Sequence, residues 1–213
     1  MSEITLWSDS RFSSPWVLSV WVMLKEKDVA FDVQALNLQK GEHKEGDFQR
    51  KSLSGKVPTL QHGDFSLGES LAICEYLEEV FPPPKHRVFF PADLAERAKV
   101  REILSWLRTD PDLPEMRRCM PFEGLFESVG QPPVTDKARA AVQRLVQAIR
   151  VRLKQPDVLE QPTLADFELA IQMRRPLFYG LELGDASDAV RFSDKLWNRP
   201  SVQAWVKLDR AVD

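Results

Sequence analysis

Cysteine, histidine and glycine are all scarce in this 213-residue chain, and each shortage removes a class of chemistry. Only Cys74 and Cys119 are present. That is too few for a disulfide framework in a chain of this length, and no C-x-x-C redox pair occurs. Three histidines, His43, His62 and His86, stand at no ligand spacing with either cysteine, so no metal site is expected. The nine glycines form neither a dinucleotide-binding nor a phosphate-binding loop, and no G-x-S-x-G elbow marks a serine hydrolase. No apolar run nears the roughly 20 residues that span a bilayer. The opening Met1-Ser2-Glu3-Ile4 lacks the basic-then-apolar order of a signal peptide. A net charge of −3 gives no general pull toward nucleic acid or anionic lipid. The expectation is a cytoplasmic protein with reduced thiols that binds neither nucleic acid nor membrane.

What is present suits a buried core, with 43% hydrophobic and 29% charged residues. The first third alternates short strand-like and helix-like stretches. Ile4–Trp7 reads as a strand, and Ser14-Pro15 as the N-cap and first residue of a helix whose apolar positions Val17, Val20, Trp21 and Leu24 recur at three and four. Residues 31–36 alternate Phe31, Val33 and Ala35 against polar partners. Thr59–Gln61 and Phe65–Leu67 flank the turn His62-Gly63-Asp64. Residues 69–81 carry a stripe of Ala72, Ile73, Tyr76, Leu77 and Val80. Pro82-Pro83-Pro84 stops that helix. Beyond it only helical segments are expected, over 93–107, 135–153, from Thr163 through Leu177, and over 201–212. The boundaries implied are an α/β domain over 1–82, a linker over 83–92 and an all-helical domain over 93–213.

Three motifs make the chain resemble the cytosolic glutathione S-transferases. Gly55-Lys56-Val57-Pro58-Thr59-Leu60 precedes the third strand; Gly68-Glu69-Ser70 opens the helix after the hairpin; Thr163-Leu164-Ala165-Asp166 is a capping box in the helical half. The resemblance implies a thioredoxin-like N-terminal domain of order βαβαββα and an all-α C-terminal domain. It implies glutathione as co-substrate, held by Lys56, Val57, Pro58, Glu69 and Ser70. In the family the Val-Pro bond is cis, and the backbone of the Val pairs with the cysteinyl part of glutathione. A helix N-terminus suits the γ-glutamyl carboxylate, and Glu69 can accept from the α-ammonium.

The family places a Tyr, Ser or Cys near the end of the first strand, and here the serines fill that place. Ser14, in Arg11-Phe12-Ser13-Ser14-Pro15, lines up with the Cys-Pro of omega-type relatives, and Ser13 is the alternative, at the looser spacing of theta- and zeta-type relatives; Ser8 and Ser10 are more remote. A free cysteine thiol ionises near pH 8.5, so a hydroxyl donating to the glutathione sulfur would raise the thiolate fraction at neutral pH. Arg11, Phe12 and Trp106 are candidate substrate-site residues, with Arg108 and the 116–117 region also considered as wall. The partners implied are a small electrophile, disulfide or peroxide, and a second copy in a homodimer. A similar bacterial Ser-Pro subgroup acts as disulfide reductases and peroxidases. Two other classes compete: a transferase-like binding module with little turnover, and a thioredoxin-type redox protein, which the missing C-x-x-C disfavours.

Overall fold

The computed structural model describes residues 3–210. The elements run β1 (Ile4–Asp9), α1 (Pro15–Glu26), β2 (Asp32–Leu36), α2 (Gly46–Lys51), β3 (Thr59–His62), β4 (Phe65–Gly68) and α3 (Ser70–Val80). Then come α4 (Leu94–Thr109), α5 (Leu113–Cys119), α6 (Asp136–Arg152), α7 (Leu164–Phe178), α8 (Ser187–Trp197) and α9 (Pro200–Val206), with short 3-10 turns at Glu42–Lys44 and Phe122–Leu125. The strand order is β2-β1-β3-β4, with β1 parallel to β2 and antiparallel to β3, and β3 antiparallel to β4. This is the thioredoxin-like order expected, and no strand follows β4 among the described residues.

The chain forms two compact units. One runs to Val88 and resumes at Pro200; the other runs Phe89–Arg199. In the first unit, Ser14 caps α1 with Pro15 at its first position, and the α1 face of Val17, Leu18, Val20, Trp21 and Leu24 is buried. Helix α9 belongs to this unit: Trp205 is fully buried, its ring 5.5 Å from that of Trp21, and the Trp21 indole N–H donates to the Ser201 carbonyl at 3.0 Å. Ala211 and Val212, which the sequence reading adds to this helix, lie outside the described residues.

One detail adds to the sequence reading and a second corrects it. The β2 alternation does not mark a core face, since Val33 is half-buried, Ala35 exposed and only Leu36 buried, as suits an edge strand. The buried stripe of α3 is Ile73, Cys74, Leu77 and Glu78, while Ala72 and Val80 are exposed and Tyr76 half-buried. The helix is rotated because Glu78 is turned inward to the buried ammonium of Lys27, 2.8 Å away. Apolar counting cannot register a core position filled by a carboxylate.

In the second unit, Asp93 and Thr135 cap α4 and α6 through their side chains. The capping box at Thr163 is complete, with Asp166 as its acidic member. The core of this unit includes Leu104, Leu107, Leu145, Ile149, Phe167 and Phe192.

Candidate functional site

Sheet register explains why motifs distant in sequence meet in the first unit. Trp7 of β1 stands opposite Thr59 of β3, and Thr59 opposite Gly68 of β4. The end of β1, the start of β3 and the end of β4 therefore share one edge of the sheet. The Ser13-Ser14 loop, the Val57-Pro58 turn and the Glu69-Ser70 helix start all leave from that edge.

The Val57-Pro58 peptide bond is cis. Its turn is tied on both sides, because the Lys56 carbonyl accepts from the Ser52 hydroxyl at 3.2 Å and the Thr59 hydroxyl at 3.0 Å. Pro58 is buried, Val57 half-buried and Lys56 exposed. Val57 lies before the first ladder residue of β3, so its backbone stands outside the sheet.

Glu69 has φ 67° and ψ 115°, a region that non-glycine residues avoid. Its carbonyl accepts from the Ile73 N–H at 3.0 Å and begins α3, while its side chain is exposed and makes no cap hydrogen bond. A capping role alone does not account for this residue. Strain of order 1–3 kcal/mol in the backbone persists where the surroundings impose it, and such positions cluster at ligand sites. Ser70 follows as the first residue of α3, buried at the helix N-terminus. Glu69→Gly is expected to be more stable than Glu69→Ala by about 1 kcal/mol, because glycine alone relieves the positive φ. Urea unfolding of the two variants checks this, and equal stability would remove the strain assignment.

The serine loop is built on Asp9. The Ser13 N–H and hydroxyl donate to one Asp9 oxygen at 2.9 and 3.1 Å, and the Ser14 N–H donates to the other at 3.2 Å. The Ser13 proton is thus directed at a carboxylate. The Ser14 hydroxyl accepts from the Val17 N–H at 3.4 Å, and its proton has no acceptor among the described residues. Both serines are half-buried. Ser8 is fully buried, with its hydroxyl donating to the Asp9 carbonyl at 3.1 Å. Asp9 is the residue sequence reading missed; its one signal is a carboxylate four and five residues before paired serines at a helix start.

The substrate-site candidates are more dispersed. Arg11 is half-buried in the same loop. Phe12 has φ 48° and sets its ring edge-on to Trp205 at 5.5 Å. Trp106 lies on α4 in the second unit, its indole N–H donating to Asp110 at 2.8 Å. Arg108 is paired through two hydrogen bonds, 2.7 and 2.9 Å, with the buried Glu168. Among the described residues, no group of three or more His, Cys, Asp or Glu side chains could hold a metal ion.

A βαβαββα unit with a cis-proline turn, a helix N-terminus and a serine loop on one sheet edge defines a thioredoxin-like architecture, here followed by a helical unit. The chain matches the glutathione S-transferase N-terminal domain over residues 13–80 and the glutathione S-transferase C-terminal domain over 93–211, and it belongs to the glutathione S-transferase family. It is 29% identical over 195 residues to human glutathione S-transferase theta-2B, covering 88% of this chain and 73% of that protein. Human glutathione S-transferase theta-1 is 37% identical over 91 residues, 43% of this chain and 37% of that protein. A glutathione transferase homolog from Burkholderia, solved with bound glutathione, is similar at a TM-score of 0.74 and 31% identity over 96% of both chains. Glutathione transferase Omega 3C from Trametes versicolor shares the fold, with a TM-score of 0.74 at 24% identity over 100% of this chain and 87% of that one.

Proposed function

We propose that this protein is a glutathione S-transferase that binds glutathione on the shared edge of its thioredoxin-like sheet and stabilises the thiolate with the Ser14 hydroxyl. The observation that carries this reading is the unspent proton of Ser14 in a loop that leaves the same sheet edge as the Val57-Pro58 turn and the Glu69-Ser70 helix start. Lys56, Val57 and Pro58 would receive the cysteinyl part, with the Val57 backbone as its pairing edge. Glu69 and Ser70 would receive the γ-glutamyl group, where the helix N-terminus favours a carboxylate and an exposed Glu69 favours an ammonium. Serine acts here as a donor to sulfur, and the attacking atom belongs to glutathione. The thiolate forms a bond to an electrophilic carbon, a disulfide sulfur or a peroxide oxygen, and the group displaced departs with the electron pair. For a disulfide or peroxide, a second glutathione completes the reduction and leaves glutathione disulfide. Conjugation of small electrophiles, cleavage of disulfides and reduction of peroxides are all within that chemistry. A cytoplasmic setting and a homodimer complete the reading by likeness to the family.

A second assignment, Ser13, fits the looser spacing that resemblance to theta-type relatives implies, and a theta transferase is among the similar proteins. The hydrogen bonds argue against it, since a hydroxyl already donating to Asp9 has no second proton for sulfur.

Calorimetric titration of glutathione into wild type, Ser14→Ala, Ser13→Ala and Glu69→Ala/Ser70→Ala tests the reading. Wild type is expected to bind, and the double variant to bind at least tenfold more weakly. Ser14→Ala is expected to bind but to lose about 100-fold in turnover, the lower end of the range for removing one donor from a developing anion. Ser13→Ala is expected to lose less than fivefold. No heat of binding in wild type at millimolar glutathione would remove the enzyme reading in favour of a non-catalytic module.

A further inference from the structure

The loop that presents Ser14 is held by a carboxylate that thiolate chemistry alone would not place there. Asp9 ends β1 at 5% exposure, and four hydrogen bonds from the loop end on it. Three reach its side chain, from the Ser13 N–H, the Ser13 hydroxyl and the Ser14 N–H; the fourth runs from the Phe12 N–H to its carbonyl at 3.1 Å. A negative charge near a thiolate raises the cost of ionising the thiol. Its presence at this place is explained if the geometry it imposes contributes more than its charge costs.

The remainder of the loop is held from the other side. Phe12 packs on Trp205, Trp205 packs on Trp21, and the Trp21 indole bonds to Ser201, so helix α9 backs the loop within the same unit. Arg210, in the segment after α9, is a charged group that Asp9 acts on from outside the loop, and Arg11 lies within the loop itself. Burial disfavours the Arg210 charge and Asp9 favours it. Arg210 also donates to the Val206 and Leu208 carbonyls, each at 2.9 Å, which ties it to the end of α9.

We propose that Asp9 is the positioning residue of the thiolate site: its carboxylate fixes both serine amides and consumes the Ser13 proton, so that Ser14 alone is left to donate to the ligand sulfur. This rests on the glutathione reading above and adds to it the residue that selects between two adjacent hydroxyls. With the clamp released, the two amides and the Ser13 hydroxyl lose their shared acceptor. The Ser14 hydroxyl then has several orientations in place of one, and its bond to sulfur weakens.

The two effects of Asp9 have opposite signs, which makes the test decisive. Asp9→Asn removes the charge and keeps one acceptor oxygen in a side chain of the same size. Thiolate absorbance of bound glutathione is followed against pH for wild type, Asp9→Asn, Ser14→Ala and Asp9→Asn/Ser14→Ala. The thiol pKa in Asp9→Asn is expected to rise by about one unit, a tenfold loss of thiolate at fixed pH below it. Glutathione affinity is expected to stay within threefold, and the double variant to be no worse than Ser14→Ala alone, because Asp9 acts through Ser14. An unchanged or lowered thiol pKa in Asp9→Asn would overturn the proposal, as would losses that add in the double variant. If Asp9→Asn does not fold, Ser13→Ala is the substitute. It removes one bond of the clamp, so a smaller rise of the same sign supports the proposal and no rise overturns it. A wild type that does not depress the glutathione thiol pKa at all would overturn the thiolate reading itself, and the Asp9 proposal with it.

Discussion

Asp166→Ala is expected to destabilise the helical unit by about 3–5 kcal/mol, the range for leaving one member of a buried ion pair without its partner. Asp166 is fully buried at the first turn of α7. One of its oxygens accepts from the Thr163 N–H at 2.8 Å and the Thr163 hydroxyl at 2.7 Å. Arg152, from the last turn of α6, reaches both oxygens with its guanidinium at 2.8 and 3.0 Å. Burial works against the Arg152 charge, and the hydrogen bond and charge of Asp166 more than offset it, holding the guanidinium above its ordinary value. Alanine would strand this cation in the core and leave the Thr163 amide without an acceptor. Against a total stability of about 5–15 kcal/mol for a native domain, that loss is a large fraction.

Urea unfolding reads the effect as a lower midpoint at constant slope. Asp166→Asn is expected to recover less than half of it, because an amide accepts from Thr163 with one end and presents donors to the Arg152 donors with the other. A loss below 1 kcal/mol in Asp166→Ala would mean that water or a shifted Arg152 satisfies the group, and the buried-pair account would fall. The capping box was legible as Thr163-Leu164-Ala165-Asp166 because a cap is a local pattern. Arg152 was not legible, because nothing in residues 136–152 distinguishes one inward arginine from its solvated neighbours.

The same division runs through the rest of the molecule. The β-α-β-α-β-β-α order was readable from period and punctuation: Ser14-Pro15 starts a helix, Gly63 supplies the positive φ of the β3–β4 turn, and the proline run ends α3. The Val57-Pro58 and Glu69-Ser70 motifs were readable as short patterns, and register then accounts for their sharing one edge. Long-range polar pairs were not readable. Glu78 rotates α3 away from its most apolar face because it has a partner 51 residues earlier in Lys27. Asp9 was passed over because its hydrogen bonds are decided by how the chain turns after β1. The short helices α5 and α8 were also missed, although Ala189, Phe192 and Leu196 stand at helical spacing. Helix α5 has only seven residues with a proline in its first turn, too few for periodicity to stand out from its surroundings.

Lys27→Met is expected to cost about 3–5 kcal/mol in the first unit, again as the penalty for orphaning a buried charge. The Lys27 ammonium is fully buried and donates to the Phe81 carbonyl at 2.9 Å and the Arg87 carbonyl at 2.7 Å, beside Glu78 at 2.8 Å. It therefore ties the end of α1 to the end of α3 and to the segment that follows. Methionine fills the volume and supplies none of the three interactions. Lys27→Met/Glu78→Leu is expected to be less destabilised than the sum of its two single variants, since removing both charges removes the orphan; the two carbonyls still lack a donor, so recovery stays incomplete. Additive losses would show that the two side chains do not act as a pair. This staple lies at the opposite end of α1 from Ser14, about 18 Å away along a 12-residue helix rising 1.5 Å per residue. Well below its unfolding temperature, the Lys27→Met protein is thus expected to bind glutathione within threefold of wild type. Asp9→Asn is expected to show the reverse, with thiol ionisation altered more than stability. If Lys27→Met instead raised the thiol pKa as Asp9→Asn is expected to, the serine loop would owe its geometry to the packing of α1 as a whole, and the clamp at its base would be only one part of that packing.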